Sequence, residues 1–360
     1  MGGQMQPSKK CCSVETRGWV GTSYLVMRYR ILLTVMAGCV FSAAIGQSRM
    51  PQIQIPKNGP MATLVREANL YTSPNESAQR ISVIMPGREM VIVGRSGSWI
   101  QVFANVDEPE SRDSNIPSIA GEQRPVPLSG WMLDKGVVDV NTAHGDQILF
   151  GEAVDAENAA SEPNPPPTAA QEARLLYQRV VEMFPKSTLT PAAMWRAADI
   201  RWQLQKADAS TLPSAHEQAP YLRQLMDEDE MKDVQKYFPR TKFAAFAAYA
   251  MIDNKLCGDW QGAEKCPEKE AGYYMKFADE YPESDRAPEA LYKAAWRMAA
   301  AGDMWTVDGN GSRAKEDRQH AAEIAARLAA KYPDSEYTDE ASDLMFKVQS
   351  EIPVYGSSRE

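Results

Sequence analysis

Residues Phe184-Pro185-Lys186-Ser187 contain the pattern that decides the fold of this chain: an aromatic residue, Pro, any residue, then Ser or Thr. The pattern recurs three more times, beginning at Phe238, Tyr281 and Tyr332. Each copy has an apolar residue four positions before the aromatic, which places both on one face of a helix. Each unit therefore predicts a helix, a Pro-marked turn and a second helix, and tandem units of this kind predict a stacked solenoid that binds other molecules.

An Ala six positions after each hydroxyl residue completes the repeat. A small side chain there lets two helices approach closely, so we expect it to be buried between them. In the last copy, the bulky position two residues further on is Asp343, as expected of a terminal unit without another neighbour. The residues that define the repeats are Phe184, Pro185 and Ala193; Phe238, Pro239 and Ala247; Tyr281, Pro282 and Ala290; and Tyr332, Pro333 and Ala341.

Residues 60–140 have a different pattern, in which turn signals separate short runs of β-branched and aromatic residues. The clearest runs are 81–85, 89–94 and 98–103, and residues 129–133 supply the closing strand after an insertion rich in Pro, Ser and charge. Runs of this length and spacing predict a small antiparallel barrel.

The order of these runs resembles the bacterial SH3-like domain. Residues 69–74 (Asn-Leu-Tyr-Thr-Ser-Pro), 87–93, 97–99 (Gly-Ser-Trp) and 130–132 (Gly-Trp-Met) are similar to successive phrases of that family. The chain departs from the family at Tyr71-Thr72-Ser73, where Arg-Ser-Gly is usual, and in the long loop before Gly130. The resemblance implies a module that contacts peptides or the cell wall, and Trp99 and Trp131 are its candidate ligand contacts.

Residues 141–169 are acidic and rich in Pro, without sustained periodicity, and we expect a linker there. Helical patterns dominate from 170 to 355, and this array resembles tetratricopeptide repeats, in particular the variant with Tyr-Pro-x-Ser between helices in the outer-membrane assembly lipoprotein family. The aromatics are 54, 43 and 51 residues apart, so insertions must enlarge each unit. The expected fold is multidomain: a small all-β SH3-like barrel followed by an all-α tetratricopeptide-like solenoid. The second resemblance implies protein binding in the cell envelope.

The charge of the chain argues against one class of partner. The net charge is −9 and the sequence pI is about 5.1, and no concentrated run of Lys or Arg offsets the acidity. Binding to phosphate backbones requires a basic face, so we expect no nucleic-acid partner.

The N-terminal region predicts export. Met27-Arg28-Tyr29-Arg30 precedes a largely apolar run at 31–45, which is the charged and apolar order of a secretory signal. Cleavage is expected after Gly46, with Ala44 as the alternative, followed by a linker at 47–59. Residues 1–26 are either a genuine extension or precede a true start at Met27.

A second interpretation of the same region is a lipoprotein signal. Met36-Ala37-Gly38-Cys39 resembles a lipobox, although the apolar run continues past Cys39. Lipidation of Cys39 would attach the protein to a membrane. The favoured interpretation is a protein released into the periplasm or cell envelope, with lipid anchoring as the alternative.

Two cysteines remain after the signal, Cys257 and Cys266. They flank a short loop between two helices, where a disulfide is expected in an oxidising compartment. A metal site is the alternative, but no His or second Cys pair lies near them in the sequence.

No catalytic constellation is evident. The three His residues are scattered along the chain, and neither Cys has the His partner that a cysteine nucleophile needs. We therefore expect no enzyme activity, no cofactor and no metal. Trp260 and Trp305 lie in segments that interrupt the repeats, and loop aromatics are candidate ligand contacts.

The favoured hypothesis is a non-catalytic exported scaffold of the cell envelope. It would bind protein or peptide partners through a groove of the solenoid, with the SH3-like module as a second contact. The alternative is an accessory protein that binds peptidoglycan mainly through the barrel.

Overall fold

The computed structural model describes residues 59–107 and 125–355 except Gln218 and Gln261. The predicted signal, its cleavage sites, the lipobox at Cys39 and the linker up to residue 58 lie outside the described residues. In the described part of the chain, no helix has the length and apolar character needed to cross a membrane.

The first part of the fold is a seven-stranded antiparallel sheet at residues 61–139. Side chains alternate along its strands: Ile100 and Val102 are buried, whereas Trp99 and Gln101 are half-buried on the other face. The sheet curls around one apolar core, and we call it the half-barrel. Its strands are β1 (Met61–Leu64), β2 (Ala68–Tyr71), β3 (Arg80–Ile84), β4 (Met90–Ser96), β5 (Trp99–Asp107), β6 (Pro125–Leu133) and β7 (Val137–Asp139).

The prediction of a closed SH3-like barrel is wrong. The strand order is β3-β2-β6-β5-β4-β1-β7, and in the described sheet the two end strands β3 and β7 do not pair with each other. The side chain of Val138 in β7 instead packs in a core that is formed mainly by residues of the helices. The sheet therefore stays open because its last strand is shared with the helical part of the molecule.

The second part is helical, and each Pro-marked phrase lies between two helices. The first helix of each pair ends at the aromatic residue, and the second begins within seven residues of it. The helices are α1 (Gly145–Ala160), α2 (Ala169–Met183), α3 (Thr190–Ser210), α4 (Asp229–Tyr237), α5 (Lys242–Ala250), α6 (Lys265–Glu280), α7 (Ala287–Val307), α8 (Gly311–Lys331) and α9 (Glu336–Gln349). Short 3-10 turns lie at Pro213–His216, Pro220–Leu222 and Asp253–Lys255.

The four turns have one backbone geometry. Each aromatic has φ between −133° and −127° and ψ between 54° and 60°, and its N–H donates to the carbonyl four residues earlier. The N–H of the Ser or Thr then donates to the carbonyl of the aromatic. Pro suits the second position of this turn because its φ is already fixed near the required value.

The repeated apolar and Ala positions are buried. Ala193, Ala247 and Ala290 are fully buried, and Ala341 is nearly so. The apolar residues one helical turn before the aromatics are also buried; they are Val180, Val234, Phe277 and Leu328. Burial of these positions is what joins the two helices of each pair.

The expectation of a linker at 141–169 and of separate domains is also corrected. Residues 145–160 form α1, whose Leu149 and Ala153 share a core with Val138 of β7 and Tyr177 of α2. The described residues from 59 to 355 belong to one compact unit, so the half-barrel and the helices are not two domains joined by a tether.

The acidic residues that gave the supposed linker its composition serve as ion-pair and hydrogen-bond partners. Glu152 pairs with Arg66 of the half-barrel at 2.6 Å, and Glu157 accepts a hydrogen bond from the Tyr177 hydroxyl at 2.8 Å. Arg179 of α2 reaches Glu89 of the half-barrel at 2.6 Å. The acidic composition of this segment therefore belongs to helix α1, whose carboxylates bind Arg66 of the half-barrel and Tyr177 of α2, and not to a solvent-exposed linker.

Candidate functional site

A concave surface lies along α3, α5 and α7, where two pockets share Lys206 and Asp253. The first, which we call the aromatic pocket, has a volume of about 390 Å³. The second, the arginine pocket, has a volume of about 320 Å³, and residues 209, 210, 215 and 223–226 form part of its lining. Together the two pockets form what we call the helical groove.

Aromatic side chains make the walls of the aromatic pocket. Trp195 and Phe246 pack with ring centroids 5.6 Å apart, and Tyr249 continues this surface along α5. Trp202 is 1% exposed, and its indole N–H has no hydrogen-bond partner among the described residues. Burial raises the pKa of Tyr249 well above its usual range, and the nearby Glu289 carboxylate adds to the increase. The pocket therefore combines aromatic walls with one buried donor, the Trp202 indole N–H, that lacks an acceptor among the described residues.

Basic side chains stand at the rim of this pocket. Arg286 and Lys293 lie 5.7 Å and 5.6 Å from the centre of the Tyr249 ring, and both contact Glu289, at 2.6 Å and 3.0 Å. Lys206 pairs with Asp253 at 2.7 Å, at the boundary of the two pockets. More than half of the Lys206 side chain remains exposed, so a partner can contact this ion pair from solvent.

The arginine pocket is built around Glu270 of α6, which is 1% exposed. Its Oε1 accepts from the backbone N–H of Cys257 at 2.7 Å and from the indole N–H of Trp260 at 3.1 Å. Its Oε2 accepts from Nε of Arg297 at 2.8 Å. A buried carboxylate with all these donors is held in one position, and so are the groups that bind it. We call Glu270, Trp260, Arg297 and Cys257 the Glu270 cluster.

The loop before α6 is fixed by a covalent bond as well. The structure joins Cys257 to Cys266, with Cα atoms 6.1 Å apart. Between them, Gly258 has a φ of 101°, and a Cβ atom built there would lie 2.9 Å from the carbonyl oxygen of Glu217. Only glycine allows the loop to approach the 209–226 segment so closely.

Arg223 lines the arginine pocket in an unusual state. Its Nε and Nη2 atoms are shielded from solvent and have no hydrogen-bond partner among the described residues. Burial lowers the pKa of Arg223, while the negative charge of Glu270 acts in the opposite direction. By contrast, the other two basic residues of this pocket, Lys206 and Arg297, are ion-paired.

The groove is basic although the chain is acidic. Three acidic side chains line the two pockets, and they are Asp199, Asp253 and Glu270. Six basic side chains line them, and they are Arg196, Lys206, Arg223, Arg286, Lys293 and Arg297. Two further carboxylates, Glu157 and Glu289, pair with Arg196, Arg286 and Lys293, so the groove and its ion-pair partners have one more basic than acidic side chain, in a chain with a net charge of −9.

The predicted ligand contacts do not come together in one site. Trp260 lines the arginine pocket, yet it is 7% exposed and packs against Trp296 at 5.4 Å, so much of it serves the core. Trp305 lies in α7 and not in an inserted loop. Trp99 and Trp131 are half-buried on the half-barrel, where Tyr71 pairs with Trp131 and contacts the Trp99 ring at 5.7 Å.

Trp305 belongs to a second carboxylate cluster, away from the groove. Its indole N–H donates to Glu268 at 2.7 Å, and Arg313 donates to both oxygens of Glu268 at 2.7 Å. Asp317, 3% exposed, lies beside them, and its pKa is raised to about 6, mainly by burial and then by the Glu268 charge. We call Glu268, Trp305, Arg313 and Asp317 the Glu268 cluster.

Sequence reasoning missed Arg223, Glu270 and Arg297. One signal was present: Glu289, Lys293 and Arg297 follow each other at intervals of four residues and therefore share a face of α7. Arg223 had no such signal, because a segment without regular structure brings it to the pocket.

The described residues hold no group of three or more His, Cys, Asp or Glu side chains that is arranged to bind a metal ion. The groove offers charged and aromatic contacts for a partner. No protein-family model matches this chain, and no curated protein matches it.

Proposed function

We propose that this protein is a non-catalytic, exported scaffold of the cell envelope that binds a protein or peptide partner in the helical groove. The observation that carries the proposal is the pairing of aromatic walls with an excess of basic side chains on one concave surface. The half-barrel is a second contact surface in this proposal.

The chemistry of the groove indicates the chemistry of the partner. Aromatic residues and Arg are the residues that most often supply binding energy at interfaces. Complementary charge adds specificity and speeds association. A segment that carries acidic residues next to apolar ones would match the rim charges at Lys206 and Arg286 and the walls at Trp195 and Phe246.

Three observations support the envelope as the compartment. The charged and apolar order at 27–46 is that of an export signal. A joined Cys257 and Cys266 suits an oxidising compartment. The Tyr-Pro-x-Ser turns, which resemble those of the outer-membrane assembly lipoprotein family, favour the same location.

The test is affinity capture from envelope extract with the full chain and two variants as bait. One variant changes two exposed rim residues, Lys206→Gln with Arg286→Gln. The matched control makes the same charge change outside the groove, with Lys276→Gln and Lys331→Gln, both exposed.

We expect a partner that the wild type and the control capture equally, and that the rim variant recovers about 5-fold less because two rim charges are lost. Equal recovery by all three baits would contradict the assignment to the groove. Failure of the wild type to capture any specific partner would contradict the scaffold function itself.

A second candidate function is peptidoglycan binding at the half-barrel. Tyr71, Trp99 and Trp131 form a partly exposed aromatic surface on three neighbouring strands, and aromatic faces of this kind bind apolar and ring-shaped ligands. Sedimentation with purified cell-wall sacculi tests it. Trp131→Ala should reduce sedimentation, whereas Phe346→Ala, a change of an exposed aromatic on α9, should not. An intact protein that does not sediment excludes this candidate.

A further inference from the structure

We infer that the arginine pocket is a carboxylate-binding site and that Arg223 is the residue that receives the carboxylate. This inference rests on the proposed function, because it names the part of a partner that enters one half of the groove. The ligand class is a carboxylate attached to an apolar group, either the C-terminus of a peptide or an acidic side chain.

The first argument is the state of Arg223. Nε and Nη2 are the two nitrogens of one edge of the guanidinium, and this edge matches the two oxygens of a carboxylate. Both atoms lack a hydrogen-bond partner among the described residues, although both are shielded from water. A buried donor without an acceptor is costly, so an acceptor that enters the pocket gains a bond that water does not supply.

The second argument is the charge balance. Lys206 and Arg297 are held by Asp253 and Glu270, so neither is left with an unmatched charge. Glu270 is already occupied by three donors, including Arg297. Arg223 thus contributes the unmatched positive charge of this pocket, and one carboxylate would neutralise it.

The third argument is the surroundings of the guanidinium. Leu225, Met226, Leu256 and Trp260 line the same pocket, so a carboxylate would enter beside apolar walls. An apolar group next to the carboxylate therefore has a place to pack, which free inorganic anions would not use.

Access to Arg223 comes through the segment that carries it. The preceding residues form a single 3-10 turn, and Tyr221 and Leu222 are 84% and 52% exposed. Few packed neighbours hold this turn in place, so a small displacement of it uncovers the guanidinium edge. Glu270, which lines the same pocket, is held by three hydrogen bonds, so we expect it to keep its position.

The experiment is calorimetric titration of the full chain with three tripeptides. The first is acetyl-Ala-Leu-Phe with a free C-terminal carboxylate, and the second is its C-terminal amide. The third, acetyl-Ala-Leu-Glu amide, carries its carboxylate on a side chain. We expect at least one of the two acids to bind about 10-fold more tightly than the Phe amide, and the stronger acid identifies the source of the carboxylate.

Three variants assign the effect to Arg223. Arg223→Gln should reduce the affinity of the preferred acid about 10-fold and leave the amide unchanged. Arg223→Lys should give a smaller loss, because it keeps the charge but not the two-nitrogen edge. Arg240→Gln, a change of an exposed Arg outside the groove, should have no effect. Circular dichroism of each variant checks that it is folded.

Equal binding of acids and amide, no detectable binding of either acid, or wild-type affinity in Arg223→Gln would each overturn the inference. The results that would contradict the carboxylate site differ from those that would contradict the proposed function. If Arg223→Gln still captures the envelope partner that the rim variant loses, the carboxylate site is wrong and the groove remains the partner site. If the acids bind as expected but no partner is captured, the scaffold function is wrong.

Discussion

Helix α6 carries two glutamates only two residues apart, and the structure uses them in two different ways. Glu270 and Glu268 each bind one Trp indole and one Arg. Glu270 is fully enclosed and meets only donors, whereas Glu268 is partly exposed and has Asp317, a second acid, beside it. The comparison shows that a Glu, a Trp and an Arg form a fixed cluster when every neighbour is a donor, and that the same three residue types raise no barrier to a buried second acid, Asp317, whose pKa is raised mainly by burial and then by the Glu268 charge.

The largest expected loss of stability comes from removing Glu270 from the Glu270 cluster. Glu270→Ala leaves Arg297 buried and without its carboxylate, and the loss of a partner from a buried ion pair costs about 3 to 5 kcal/mol. Urea unfolding followed by circular dichroism measures the change in unfolding free energy. Glu280→Ala, at the exposed end of the same helix, serves as the control and should change stability by less than about 1 kcal/mol. Similar losses in the two variants would mean that the Glu270 cluster is not rigid.

The next effect concerns the loop that supplies a donor to Glu270. Replacing Cys257 and Cys266 together by Ala opens a loop with a sequence separation of 9 residues, which should cost roughly 2.5 to 3 kcal/mol on the chain-entropy argument. Differential scanning calorimetry of the oxidised wild type and the double variant measures it. Two free thiols in the purified, non-reduced wild type, found by mass spectrometry, would contradict the bond itself.

The smallest effect concerns the Glu268 cluster. It is a gain of stability, whereas the two substitutions above cause a loss. The pKa of Asp317 is about 6 in the folded chain and 3.8 is its ordinary value, so the folded state holds the proton more tightly. Stability should therefore fall as the pH rises from about 4 to about 6, and then stay level as far as this group is concerned. Asp317→Asn removes that loss and should stabilise the protein by about 1 to 2 kcal/mol at pH 7.5.

Urea unfolding at pH 4 and pH 7.5 measures the Asp317→Asn effect. The variant and the wild type should differ little at the lower pH. The charge of His320 acts on Asp317 in the direction that lowers its pKa, so His320→Gln is included as a control. A variant that is less stable than the wild type at pH 7.5 would show that the Asp317 carboxylate is well paired in the folded protein, and would contradict the raised pKa.

The four Pro-marked turns were predictable because their information is local. The aromatic, the Pro and the hydroxyl residue lie within four positions, and the hydrogen bonds that define the turn lie within the same short stretch. The Ala six positions later is buried in all four copies because a helix period fixes the face it occupies.

The parts that were mispredicted depend on distant partners. Helix α1 has a weak apolar face, and what stabilises it is packing against Val138 and Tyr177 and the bond from Glu152 to Arg66. The barrel was expected to close because the strand signals are those of a small sheet, but no local pattern shows that β7 contributes to a helical core. Tertiary contacts override composition in both places.

The candidate site was the least predictable part of the molecule. Trp260 was singled out because it lies in a loop, and it does line a pocket, yet its indole N–H is committed to Glu270. Arg223 and Arg297 are 74 positions apart in the sequence and line the same pocket. Residues so far apart carry no shared pattern, so their meeting could be known only from the fold.

Cys257 takes part in two bonds. Its sulfur is bonded to Cys266, and its backbone N–H donates to Glu270. Thiol chemistry and the shape of the arginine pocket are therefore linked through a single residue. A chain that still has free thiols, before it meets an oxidising environment, would have a looser wall around Trp260. Oxidation of these two thiols would then be the step that fixes the shape of the arginine pocket.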